Sequence, residues 1–196
     1  FVSDAISIVN YFKEKNTFKE LYIIGHGQGS LVGMLASKEN VSGFVSIAGS
    51  AKPIDQVILE QIKLTVPGLE DASKVAFEKL KAGETTANYP PALESIFSKE
   101  NQVFMSSWMQ YNPQEHIAEL QIPVLIINGT KDLQVPVAEA QLLKNNAQNG
   151  NLLLIENMNH VMFPILGDNL ENSKSYNESF RKLSPELIPA ITDFIN

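Results

Sequence analysis

Short apolar runs recur along the chain, separated by stretches in which apolar residues return every three or four positions. The runs are residues 21–24, 44–49, 124–127 and 152–155, each too short for a helix and apolar almost throughout, as strands buried on both faces of a sheet are. Before the first run, Ala5, Ile8, Val9 and Phe12 fall at i, i+3, i+4 and i+7, so residues 3–15 read as an amphipathic helix with Ser3 as its N-cap. A helix carrying Leu31, Val32, Met34 and Leu35 follows the first run, and another covers 137–147. A last helix covers 184–196, with Ser184 at N-cap and Pro185 at N1. Short strands alternating with helices predict an α/β fold with a parallel sheet. The polar stretch 167–179 reads as a surface loop.

One interval breaks the alternation. Residues 53–120 carry helical spacing only: Ile54, Val57, Ile58 and Ile62, then Val75, Ala76 and Leu80, then a piece around 104–111. Pro67-Gly68 and Pro90-Pro91 punctuate it. So long a strandless insertion between two sheet strands reads as a helical lid. The expected organisation is core at 1–52, lid at 53–120 and core again at 121–196.

Composition narrows the function more than the fold. A chain of 196 residues, 44% apolar and 19% charged, suits one ordinary globular domain. A net charge of −7 argues against nucleic acid and against anionic membrane surfaces as partners. No apolar run reaches the roughly 20 residues a bilayer span needs, so a soluble chain is expected. The compartment stays open, with the cytoplasm favoured. Without cysteine there is no disulfide, thiol nucleophile or thiolate metal site. No two of the 3 histidines stand at a metal-binding spacing, so neither metal nor other cofactor is expected.

The chemistry concentrates around LYIIGHGQGSLVG, residues 21–33, where a strand pattern meets a helix pattern through glycines at every second position. Gly25-x-Gly27-x-x-Ser30 is close to a dinucleotide-binding turn. That turn also needs an acid at the end of the next strand, and SIAGS at 46–50 has none. The alternative is a nucleophile elbow, G-x-S-x-G, with Gly25 and Gly29 as its flanking glycines and Gly27 where the serine belongs. An elbow requires an acid and then a histidine, each just beyond a later strand. Asp132, in NGTKDLQVP, follows the third run, and His160, in ENMNHV, follows the fourth. Taken singly, Gly27 would be a structural glycine, Asp132 a turn aspartate and His160 a loop histidine; their shared frame promotes all three. His26 reads as structural, His116 as a surface residue, and Ser30 as packing on a neighbouring strand.

With LYIIGHGQGSLVG, IPVLIINGTKDLQVPV and NLLLIENMNHVMF in view, the chain resembles the alpha/beta hydrolases, in their carboxylesterase and serine-aminopeptidase-like branch. The segment SSWMQYNPQEHIAEL adds to the resemblance. It implies an alpha/beta-hydrolase core in which Asp132 orients His160 and His160 deprotonates a nucleophile at position 27. It also implies one oxyanion-hole donor, the backbone N–H of Gln28. Trp108, Met162 and Phe163 are candidates for contact with substrate, a small ester or acyl ligand. Gly27 departs from the pattern, because a glycine cannot form an acyl-enzyme. The family's earlier strands are also missing before Phe1, so the rest of the same domain is an expected partner. Two functions follow as expectations: a serine hydrolase of small carboxylic esters disarmed at its nucleophile, or a binding protein that keeps the pocket without catalysis.

Overall fold

Alternation within the central strands decides which side chains face which layer. The computed structural model describes residues 1–39 and 41–196. The chain divides into a sheet unit, Phe1–Ala51 with Pro113–Asn196, and a helical unit, Lys52–Asn112.

In the sheet unit, α1 (Val2–Glu14) leads to β1 (Tyr22–His26), α2 (Gln28–Ala36) and β2 (Gly43–Ile47). The four parallel strands stand in the order β1-β2-β3-β4, with β3 at Val124–Gly129 and β4 at Gly150–Ile155. Successive strand residues point to opposite faces. Phe44, Val124 and Ile126 therefore join Met34 of α2 on one side, while Val45, Ile47, Leu125 and Ile127 line the other. Burying each of these side chains contributes about 1.5–3 kcal/mol. Strands β2 and β3 are buried along their whole length, as apolar runs in a two-faced sheet should be. Strand β1 is not, although its run is equally apolar: Ile24 is 50% exposed. It pairs with β2 and stands at the margin of the sheet among the described residues.

The helical unit holds α3 (Ile54–Thr65), α4 (Glu70–Lys81), α5 (Glu94–Phe97) and α6 (Lys99–Trp108), with short 3-10 turns at Pro67–Leu69 and Pro91–Leu93. Its core is Ile62, Ala76, Phe77, Leu80, Phe97 and Met105 with their neighbours. The buried amide of Gln102 accepts from Thr86 N–H and donates to the carbonyls of Thr86 and Phe97, which pins the segment between α4 and α6. Trp108 packs against this core beside Phe104.

Helix α7 (Pro113–Ala118) lies in the sheet unit, because Ile117 and Leu120 bury in the cluster around Phe44. The stretch 113–120, assigned to the insertion from its helical spacing, is thus part of the core. Helix α8 (Val137–Asn146) packs against α7, and α9 (Asn169–Ser175) and α10 (Leu187–Ile195) complete the unit. Three more sequence expectations change. Helix α1 starts from Phe1, with no side-chain cap from Ser3. Helix α10 starts at Leu187, and Ser184 instead turns the chain: its N–H donates to Met162 O and its carbonyl accepts from Leu187 N–H. The stretch 167–179 is no loop, because Asp168 caps α9 by accepting from Leu170 and Glu171 N–H. No helix among the described residues is long and apolar enough to cross a membrane.

Candidate active site

Parallel pairing brings the C-terminal ends of β1, β3 and β4 to one edge of the sheet, where open α/β sheets place their ligands. Gly27 follows β1 directly and starts α2, with φ 55° and ψ −121°. That conformation is available to glycine and costs other residues about 1–3 kcal/mol. Close approach is needed at the same turn, since a Cβ on Gly25 would run into the carbonyl of Gly29. Helix α2 begins at Gln28, so the Gln28 N–H belongs to the first turn, where backbone donors have no partner within their helix. Ser30 is buried and shares a 2.7 Å hydrogen bond with Ser46 Oγ of β2, so it faces the sheet.

Asp132 lies in the turn after β3. Its Oδ1 accepts from the backbone N–H groups of Gln134 and Val135, both at 2.8 Å. Its Oδ2 meets His160 Nδ1 at 2.9 Å, and the carboxylate side chain is 0% exposed. A carboxylate can only accept, so the ring proton sits on Nδ1 and Nε2 is left as a base. Nε2 points at the elbow: a Cβ on Gly27 would lie 3.5 Å from it and 3.8 Å from Cε1. Among the described residues beyond its chain neighbours, no other heavy atom would come within 4 Å of that Cβ. The structure thus brings Gly27, Asp132 and His160 together.

His160 sits at the tip of a turn after β4, closed by bridge pairing of Met158 with Pro164 and by Asn159 N–H donating to Phe163 O at 3.0 Å. Met162 holds φ 67°, and its side chain packs on the core cluster around Ile155 and Leu187. Phe163 N–H donates to Asn159 Oδ1. His26 Nε2 donates to the carbonyl of His160 at 2.8 Å, and the two rings stand 4.8 Å apart. His116 shares a hydrogen bond with Lys38. Ser50 Oγ and Ala51 N–H both donate to the buried carboxylate of Glu139. No group of three or more His, Asp or Glu side chains that could hold a metal ion occurs among the described residues.

Sequence reasoning passed over the element that ties the acid loop to the histidine loop. Asn172 of α9 is fully buried; its Nδ2 donates to the carbonyl of Lys131, next to Asp132, at 2.7 Å. Its Oδ1 accepts from Nδ2 of Asn159, next to His160, at 3.0 Å. Ser175 Oγ takes the second Asn159 proton at 2.8 Å and donates to Asn172 O. One amide therefore holds the neighbours of both dyad members. The first turn of α9 is anchored electrostatically as well. Backbone N–H bonds from Glu171 and Leu170 hold the Asp168 carboxyl below its ordinary value. The Arg181 guanidinium, with Gly167 N–H, does the same for Glu171. The one sequence signal was Asp168 followed three residues later by Glu171, the pattern that opens a helix.

Solved structures share this architecture. An alpha/beta fold family hydrolase from Bacillus anthracis superposes with a TM-score of 0.55 at 13% identity, covering 90% of this chain and 72% of that one. Est1E from Butyrivibrio proteoclasticus gives 0.54 at 17% identity, covering 91% and 67%. The chain shares the fold of these alpha/beta hydrolases. In sequence it is 29% identical over 170 residues to Esterase EstD of Thermotoga maritima, a match covering 82% of this chain and 40% of that protein. The chain thus spans about two fifths of that relative's length. No family model matches the chain.

Proposed function

We propose that Gly27, Asp132 and His160 form a serine-hydrolase site for small carboxylic esters in which glycine stands at the nucleophile's position. The observation that carries this is the line from Asp132 Oδ2 through His160 Nδ1 to Nε2, which ends 3.5 Å from where a side chain on residue 27 would begin. A serine there would bring its hydroxyl within hydrogen-bond reach of Nε2, the relation a general base needs. The Gln28 N–H serves the developing oxyanion. Similarity to a curated esterase supports the reaction class. Met162 and Phe163, which follow the base in the chain, contact the acyl or alcohol group. The outer edge of β1 takes further strands of such a domain, in keeping with the greater length of that relative.

Without a side-chain nucleophile the chain keeps only what binding and the oxyanion donor provide, roughly 10³–10⁴-fold over water in a fully formed serine-hydrolase site. It turns over esters at a rate near zero, or holds them. Gly27→Ser, in this chain and in one extended before Phe1, tests the assignment. Release of p-nitrophenol from p-nitrophenyl acetate should rise by orders of magnitude in the serine variant. A serine variant that binds esters, shown by melting shifts, yet never cleaves them would favour the binding protein instead.

A further inference from the structure

Three loops meet at the site, and two of them are bound to each other twice. Asp132 and His160 share the bond from Oδ2 to Nδ1, and Asn172 holds the residue beside each of them. Neither tie reaches the elbow, which follows β1 and is anchored to β2 by Gly27 N–H donating to Ile47 O at 3.0 Å. What joins the two halves is His26. It is the last residue of β1 and the chain neighbour of Gly27. Its Nε2 donates to the carbonyl of His160 at 2.8 Å, and the two rings stand 4.8 Å apart at 46°. Among the described residues this is the only hydrogen bond between the elbow at 25–29 and the histidine turn at 157–164. Resting on the site assignment above, we infer that His26 is a positioning residue: it ties the backbone of the base to the residue next to the nucleophile's place and so sets their separation.

A carbonyl oxygen only accepts, so the His26 proton sits on Nε2. The bond uses neither ring nitrogen of the base. His160 Nδ1 stays on Asp132, and Nε2 stays aimed at residue 27, 3.5 Å from where a Cβ would stand. His26 and residue 27 share a peptide bond, which is planar and stiff. A slip of the histidine turn away from the elbow must therefore stretch or break the 2.8 Å bond. Asp132 cannot supply the same restraint. It fixes the direction of the ring, but its loop is joined to the histidine turn through Asn172, so a shift of both loops together leaves the Asp132–His160 bond intact. General-base transfer needs its heavy atoms within about 2.6–3.2 Å, so that shift is the one that matters for a nucleophile at residue 27.

The test uses the Gly27→Ser chain, at this length and extended before Phe1, with p-nitrophenyl acetate. His26→Ala should lower kcat by about 10- to 10²-fold, as a misplacement of about 1 Å at a catalytic group does, and leave KM nearly unchanged. His26→Phe, which keeps a ring beside His160 but has no N–H, should lose as much. His26→Gln, whose amide N–H stands about as far from the backbone as Nε2, should recover most of the rate. With His160→Ala already present, His26→Ala should bring no further loss, because both substitutions then act on one function. Melting temperatures identify a chain that has lost its fold, and the bulkier Phe and Gln chains then carry the comparison. Full kcat in the Ala and Phe chains overturns the inference and leaves the site assignment standing. A loss that Gln does not restore, or one that persists at full size without His160, overturns it as well. A Gly27→Ser chain that cleaves no ester at either length removes the site assignment and the inference together.

Discussion

Asn172→Ala removes a side chain that lies well away from the elbow in sequence yet holds both loops of the dyad. The substitution deletes two hydrogen bonds, to Lys131 O at 2.7 Å and from Asn159 Nδ2 at 3.0 Å, at a residue with 0% exposure. Each buried group left without a partner costs about 1–3 kcal/mol. The Lys131 carbonyl and one Asn159 proton together place the loss at roughly 2–4 kcal/mol, allowing for a water that satisfies one of them. A domain of this kind has only about 5–15 kcal/mol in all, so the change is large. Urea unfolding should show a lower midpoint with an unchanged slope. Asn145→Ala, at an exposed position bonded to Gln141, is the control and should stay within about 0.5 kcal/mol. Placed in the Gly27→Ser chain, Asn172→Ala should also lower kcat, because a misplacement of about 1 Å at a catalytic group can cost 10²-fold. If Asn172→Ala unfolds like the control and leaves kcat unchanged, the amide is not what positions the dyad.

Three further outcomes follow from the same geometry. Gly27→Ala should lower stability by about 1–3 kcal/mol in urea unfolding, since alanine at φ 55° is strained even where space is ample. In the Gly27→Ser chain, Asp132→Asn should reduce kcat by about 10⁴-fold, because an amide facing Nδ1 no longer holds the ring in its base-ready tautomer. Helix α9 should loosen in acid. Asp168 and Glu171 have folded values held below their ordinary ones of 3.8 and 4.5, so their contribution is complete above those values and is lost as pH falls through the lowered folded ones. Hydrogen exchange at Leu170 and Glu171 N–H should therefore gain protection, relative to Asp168→Asn, above about pH 5 and lose that difference in stronger acid.

The meeting of Gly27, Asp132 and His160 was legible because each position is written locally: an apolar run, then its residue, repeated for three strands of one sheet. The buried Ser30 on Ser46 also followed from its place one turn into α2. Helix α9 was not legible, because its polar text matches a loop and its buried face meets Lys131 and Asn159, which the sequence places far away. The exposure of Ile24 escaped for a related reason. An apolar strand reads the same at the margin of a sheet as in its middle, and pairing order decides which it is. Ser184 looked like an N-cap beside Pro185, but its backbone is engaged with Met162 of the histidine turn, which delays α10 to Leu187. His26 was readable as structural, while its specific task, holding the carbonyl of His160, depends on a fold-level approach of β1 to the turn after β4.

The most direct measurement is covalent. The Gly27→Ser chain is treated with a fluorophosphonate, digested and read by mass spectrometry, with Gly27→Ser/His160→Ala treated in parallel. A phosphonyl group on the introduced serine in the first protein and not in the second is the expected result, because only a hydroxyl activated by the Asp132–His160 pair reacts. An introduced serine that stays unlabelled, or labelling that persists without the imidazole, would contradict a nucleophile position at residue 27.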